Sequence, residues 1–349
     1  MSEQHVNRQW FYARPITGHL TADNFAQREV PVPELRQGQA LIRNRLVSID
    51  PANRLYFAIQ NYRRQIELGD VMAAFAIGEV VKSTDPRFRV GDLWHGDFGW
   101  QDYAVINSYD RSEYYHRCTP GFSDEDLLGV YGITGMTAYF GVETVGRLTG
   151  NETVVVGGAT GACGAIIGQL AKIAGCRVVG FAGGPDKCSW LTRELGFDAA
   201  VDYRASDMAQ RLAAECPDGV DFFSDAIGGA ISQATIPLMK QDARWYHFGN
   251  MSEYDNMVPG EAAPRHDAFL TPELRAICKE RNLRPVFLLV FDFYCRRLEA
   301  QEKLAAYIAE GRLKAPSTSL SGFDKLPSAL VDGSLGSNKL GKLNVRLAG

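Results

Sequence analysis

Residues 154–175 read VVVGGATGACGAIIGQLAKIAG. A run of valines, which favour extended backbone, gives way to a small-residue helix closed by Gly175. Gly158, Gly161 and Gly164 fall three apart at the seam. At a strand–helix turn, missing side chains let a pyrophosphate approach the backbone. The helix start adds unpaired N–H groups and a favourable dipole. Gly158, Ala159, Thr160, Gly161, Ala162 and Gly164 are therefore candidate cofactor-binding residues. The spacing is G-x-x-G-x-x-G rather than G-x-G-x-x-G, so the chain around the seam must carry the reading.

That chain alternates. Strand-like ETVVVGG is followed by the helix, then RVVGFAGG, helix PDKCSWLTRELG and strand AAVDYR. Helix DMAQRLAAECP, strand VDFFSDAIGG, helix ISQATIPLMKQ and strand RWYHFGN come next. Alternation at this interval predicts βαβ units on a parallel sheet. VFLLVFDFYC (residues 286–295) is too short to span a bilayer and reads as a further buried strand. The first 120 or so residues differ in texture, with short β-like runs such as QALIRNRLVSID and QDYAVIN separated by turn residues. The expected class is α/β: a mostly β domain beside a doubly wound, Rossmann-type parallel sheet.

The tip of the second strand bears on cofactor type. Sites that prefer NAD place an acid there for the ribose 2′-OH. Here the strand ends in Ala182-Gly183-Gly184, followed by Asp186 in the next helix's first turn and then Lys187. Tyr203 and Arg204 end the third strand. Cations and a phenol in place of a carboxylate suit a 2′-phosphate, hence NADP(H).

Composition excludes several classes. A net charge of −4 with no Lys/Arg block argues against nucleic-acid or membrane-surface partners. The N-terminus carries no apolar signal stretch. Seven cysteines, an odd and scattered set without a C-x-x-C pair, point away from a disulfide framework and toward a reducing cytoplasm.

Several strings are family-specific: NRQWFYARP (7–15), GWQDYAV (99–105), GITGMTAYFG (132–141) and CRVVGFAGGPDKC (176–188), with LGFDAAVDYR and AEGRL further on. On these the chain resembles the medium-chain dehydrogenase/reductase superfamily in its zinc-independent branch. Within that branch it is similar to the alkenal/one double-bond reductases, the prostaglandin reductase and curcumin reductase type. The resemblance implies a GroES-like substrate domain from residues 1–123 and 313–349, and a Rossmann NADP-binding domain from 124–312. It implies a cleft between them, a homodimer, and an NADPH-dependent reduction of the C=C bond of an α,β-unsaturated carbonyl. Lys187 and Tyr203 would hold the 2′-phosphate, and Gly183 and Asn338 would contact the cofactor. Tyr254 would stand near the ribose and nicotinamide as the candidate proton donor.

Metal chemistry is not expected. The segments SIDPANRLYF and ELGDVMAAFAIGEV, where zinc ligands would lie, hold neither Cys nor His. The chain also departs from the family where substrate would sit. D-P-Y-M-R becomes Asp50-Pro51-Ala52-Asn53-Arg54, and N-V-G-G becomes Ala226-Ile227-Gly228-Gly229. The tail N-x-G-K becomes Asn338-Lys339-Leu340-Gly341-Lys342, one residue longer. Ala52, Asn53, Tyr56, Phe287 and Phe291 are the candidate substrate-pocket residues, suited to an apolar or aryl enone. A quinone or carbonyl reductase, or an NADPH-binding protein without turnover, are the alternative readings.

Overall fold

The computed structural model describes residues 6–58, 63–108, 114–256, 270–332 and 339–347. Near the N-terminus, β1 (Val6–Tyr12) and β2 (Phe25–Pro31) form an antiparallel ribbon. A seven-stranded sheet follows, centred on β3 (Gln39–Ile49). Antiparallel to one another in it run β3, β4 (Phe75–Ser83), β5 (Leu93–Asp97) and β7 (His116–Arg117), and β6 (Tyr103–Asn107) also pairs with β3. Between β3 and β4 lies a 3-10 turn, Pro51–Phe57. Proline at its first position supplies a preset φ and gives up an N–H that would have no partner there.

After α1 (Asp124–Leu128) and α2 (Ile133–Phe140) the alternating region begins. Its strands are β8 (Thr153–Val156), β9 (Arg177–Ala182), β10 (Ala199–Asp202), β11 (Val220–Asp225), β12 (Met239–His247) and β13 (Pro285–Val286). All five pairings are parallel, in the order β10-β9-β8-β11-β12-β13. In units of appearance that order is 3-2-1-4-5-6, the doubly wound arrangement. Helices α3 (Ala162–Ile173), α4 (Pro185–Glu194), α5 (Met208–Glu215), α6 (Gly229–Thr235) and α7 (Pro272–Glu280) intervene.

Alternation along the strands shows why both faces are covered. Val154, Val156 and Val178 pack with Ala165, Ile166 and Leu170 of α3. Val155, Val179 and Phe223 face the other way and pack with Leu212, Ile231 and Leu274 of α5, α6 and α7. A strand buried on both faces has no polar side to show, which is why VVV is uninterrupted.

Then α8 (Arg297–Ala309), which packs on α2, and β14 (Ser317–Ser321) return the chain toward the first sheet. After α9 (Leu326–Val331), β15 (Lys342–Arg346) inserts between β14 and β3, with Leu343 opposite Ile49 and Val345 opposite Val47.

Two sequence expectations need correction. The apolar run 286–295 is not one strand: β13 ends at Val286, and Val290–Arg296 is a 3-10 helix. Val290 and Phe291 turn into the core while Phe293 stacks on Phe140. The neighbours of this run lie around it rather than on two opposite faces, which a helical turn serves better than a strand. The helix read through ISQATIPLMKQ also stops early. α6 ends at Thr235, Pro237 sits in a 3-10 turn, and β12 already begins at Met239.

His95 carries a testable consequence of this packing. Its ring is fully buried between those of Phe75 and His116, and neither nitrogen has a hydrogen-bond partner among the described residues. Burial pushes His95 down from 6.5 to about 4. Between those values the unfolded chain binds a proton that the folded chain refuses, so stability falls as pH drops through that window. At pH 5 the cost reaches about 2 kcal/mol. His95→Phe is expected to narrow the gap between urea stabilities at pH 7 and pH 5 by about that amount. An unchanged gap would mean that other groups cause the acid sensitivity.

Candidate functional site

The sheet order reverses at β8, whose neighbours β9 and β11 lie on opposite sides. At such a switch point the carboxyl ends of the strands open a crevice. The glycine seam occupies it. Gly157 N–H donates to Ser224 O at 2.8 Å, and Gly161 N–H donates to Gly158 O at 2.9 Å, closing the turn. Gly158 adopts a φ of +66°, a conformation that favours glycine. Gly161 is the N-cap of α3 and offers no side chain to the first-turn N–H groups. These are left for a ligand. A Cβ on Gly164 would lie 2.4 Å from Gly158 O and 3.0 Å from Ala159 Cα. Ala159 is buried, and Thr160 O accepts a hydrogen bond from Gly341 N–H at 2.9 Å. Together with Ala162, the first residue of α3, the six seam residues thus form one bare cradle at a helix start.

One strand away, Gly183, Lys187, Tyr203 and Arg204 converge. Tyr203 lies across Gly183, so that a Cβ there would come within 2.7 Å of the phenol oxygen. The Arg204 guanidinium sits 5.8 Å from the Tyr203 ring. Lys187, half-buried in the first turn of α4, is held below its usual range by burial and then by Arg204. The carboxylate at the end of β10 is turned to the backbone: Asp202 accepts from Gly184 N–H at 2.9 Å and from Arg204 N–H at 3.0 Å. The corner therefore presents positive charge and a phenol, an arrangement that can bind a phosphate.

On the other side of the seam, the turn after β11 is tied to the segment after β12. Met251 N–H donates to Ala226 O and Ser252 N–H to Ile227 O. Tyr254 lies half-buried in the 3-10 turn Met251–Asn256, and its oxygen accepts from Asn250 N–H at 3.4 Å. Burial pushes the Tyr254 phenol up, so it stays protonated at neutral pH. This turn packs against Pro51–Phe57, which brings Tyr254 beside the segment carrying Ala52, Asn53 and Tyr56. That segment is anchored from the tail. Lys342 Nζ, 4% exposed, donates to Ile49 O, Leu343 O and the Asp50 carboxylate.

Comparison with known proteins fits this geometry. The chain is 34% identical over 346 residues to the NADPH-dependent curcumin reductase of Escherichia coli (strain K12), covering 98% of this chain and 97% of that one. It is 29% identical over 340 residues to prostaglandin reductase 1 of Bos taurus, covering 97% and 98%. The chain belongs to the medium-chain dehydrogenase/reductase family, in its double-bond reductase group. Residues 8–113 match the family described as the N-terminal domain of oxidoreductase, and residues 162–288 the one described as zinc-binding dehydrogenase. The crystal structure of CurA from Vibrio vulnificus, also solved in complex with NADPH, superposes with a TM-score of 0.88 at 31% identity. The match covers 98% of this chain and 99% of that one.

As a medium-chain dehydrogenase/reductase, the chain places its other candidate residues unevenly. Asn53 is buried, and its amide is used locally, accepting from Asp50 N–H at 2.7 Å and donating to Ala73 O at 3.2 Å. It serves the turn rather than offering a free polar group. Tyr56 is buried under the Arg63 guanidinium, 4.8 Å from its ring. Phe291 is buried against Phe75 and Tyr114. Phe287 is 52% exposed and lines a groove with Arg147, Arg244 and Arg284 at the outer edge of the parallel sheet. Asn338 lies outside the described residues. Among the described residues no group of three His, Cys, Asp or Glu could hold a metal ion, and no helix is long and apolar enough to cross a membrane.

Two polar groups at the site were not anticipated. Asn250 is 7% exposed, lies against Gly228, and neither atom of its amide finds a partner among the described residues. Lys339 Nζ is buried without a partner as well. Neither carries a local sequence signal, since both stand in irregular segments.

Proposed function

We propose that the protein is an NADPH-dependent reductase of the C=C bond of α,β-unsaturated carbonyl compounds. The observation that carries this is the uncapped start of α3, framed by Gly158 and Gly164 at the sheet switch point, with the Lys187–Tyr203–Arg204 corner one strand away. The Escherichia coli relative is named for its NADPH dependence and the Vibrio vulnificus CurA structure was solved with NADPH, which supports the same cofactor here. Residues 124–312 would form the cofactor domain, and 1–123 with 313–349 the GroES-like substrate domain. The exposed Val286 on the outer strand of the parallel sheet, with the exposed Phe287 just after it, supports pairing with a second copy.

The seam residues would take the diphosphate on the N–H groups of α3. Lys187 and Tyr203 would take the 2′-phosphate, with Gly183 and Asn338 further cofactor contacts. When bound, NADPH would supply the hydride for the β-carbon of the enone or enal. Negative charge then gathers on the substrate's carbonyl oxygen, where N–H and O–H donors must meet it. The protonated Tyr254 phenol is the chain's donor for the proton that goes to the α-carbon. The turn carrying Ala52 and Tyr56 packs on the turn carrying Tyr254, and with Phe291 these residues would shape an apolar or aryl-accepting pocket.

The experiment is turnover of NADPH against a panel of enals, aryl enones and quinones, with the product examined for a reduced C=C bond. Tyr254→Phe is expected to lower kcat about a hundredfold, with the Kd for NADPH changed less than about threefold. Loss of binding in step with kcat would make Tyr254 a cofactor-site phenol instead. Response to quinones alone would replace the enone reading.

A further inference from the structure

We propose that Lys339 is a phosphate ligand of the bound cofactor, an added cation that closes over the glycine seam from the C-terminal tail. The inference rests on the NADPH reading above. Its starting point is the fixed backbone beside Lys339. Gly341 N–H donates to Thr160 O at 2.9 Å and pairs in a parallel bridge with Gly161, the N-cap of α3. Leu340 O accepts from the Thr318 hydroxyl at 3.0 Å, and Lys342 N–H donates to Pro316 O at 2.9 Å. Gly341 can take this path because it has no side chain: its φ is +73°, and a Cβ would meet Pro316 O at 1.8 Å. Lys339 is thereby delivered to the seam two residues upstream of the contact.

Its ammonium is the unusual part. Lys342, three residues on, gives its ammonium to three acceptors. Lys339 Nζ is buried with no acceptor among the described residues. Burial first, then the like charges of Lys342 and Lys187, hold it down at about 8, and the Asp332 carboxylate acts in the opposite direction. A buried cation without a partner and among like charges is unfavourable unless an anion completes the site. The diphosphate and 2′-phosphate of NADPH are such anions: Gly341 ties this stretch to the seam, and Lys187 is near enough for its charge to act on Lys339.

The test is cofactor binding to the full chain, measured by calorimetry for NADPH and for NADH at low and high salt. Lys339→Met is expected to raise the Kd for NADPH about tenfold at low salt, and by less at high salt where charge is screened. Lys339→Arg should retain most of the affinity. Equal weakening of NADPH and NADH assigns the contact to the diphosphate, and weakening of NADPH alone assigns it to the 2′-phosphate. The thermal stability of ligand-free Lys339→Met should equal or exceed that of the parent, which a structural lysine would not show. Kd values within twofold of the parent for both dinucleotides overturn the proposal. Failure of the parent chain to bind NADPH would instead overturn the cofactor reading on which it rests.

Discussion

Gly164→Val is expected to abolish NADPH binding while leaving most of the fold standing. A Cβ at 164 would come within 2.4 Å of Gly158 O and 3.0 Å of Ala159 Cα, and both are backbone atoms that cannot rotate away. Either the start of α3 or the turn at Gly158 must shift by an ångström or so, and both form the floor of the cradle. The first-turn N–H groups would then miss the diphosphate, and a branched side chain would also fill its place. The expected loss is about a hundredfold or more in Kd, roughly 2.7 kcal/mol. Overpacking at one helix position costs about 1–3 kcal/mol of stability, so circular dichroism at room temperature should still report a folded chain. Gly164→Ala should fall between, because it keeps the clash and omits the branch. A Kd within threefold of the parent in a folded Gly164→Val chain would remove the seam from the cofactor site.

Much of the scaffold was readable because burial on both faces leaves a plain mark. VVV, RVVGFA and VDFF are apolar apart from Arg177 and Asp221 near their starts, and each begins or ends at a glycine or acid that signals a turn. The run 286–295 broke that logic. It is as apolar as the strands, yet its residues serve an exposed edge, the core and a ring stack in turn. Apolarity alone does not separate those roles. Asn53 carries a second signal beside its pocket reading, because its spacing three residues after Asp50 is that of a capping box. The bare turn at the start of α3 was legible because glycine is informative where backbone must be bare. His95, Asn250 and Lys339 were not, since an orphaned polar atom is a property of the neighbours brought to it by the fold. Tyr254 could be placed only through the family string around it. What the structure adds is its packing against Pro51–Phe57.

Asp225→Ala should give the opposite balance, a large loss of stability with a smaller effect on binding. Asp225 ends β11 and is fully buried. One carboxylate oxygen accepts from Ile227 N–H and Gly228 N–H, both at 2.9 Å, and the other accepts from the Ser232 hydroxyl. His247 Nδ1 at the end of β12 stands 3.3 Å away. One side chain thus ties the β11 turn, the first residues of α6 and the next strand. Alanine leaves two buried N–H groups and a hydroxyl without their acceptor, at about 1–3 kcal/mol each before relaxation. The expected destabilisation is about 4 kcal/mol, read from urea unfolding at pH 7. Asp225→Asn retains an acceptor for the two N–H groups and should cost about half as much. The turn at 226–228 would loosen without closing the cradle, so the Kd for NADPH should rise by less than in Gly164→Val. A loss below about 1 kcal/mol for Asp225→Ala would show that the turn is held by the Met251 and Ser252 bonds instead. With both variants measured for Kd and unfolding, the glycine seam and the Asp225 tie become separable: one change moves mainly the ligand, the other mainly the scaffold that presents it.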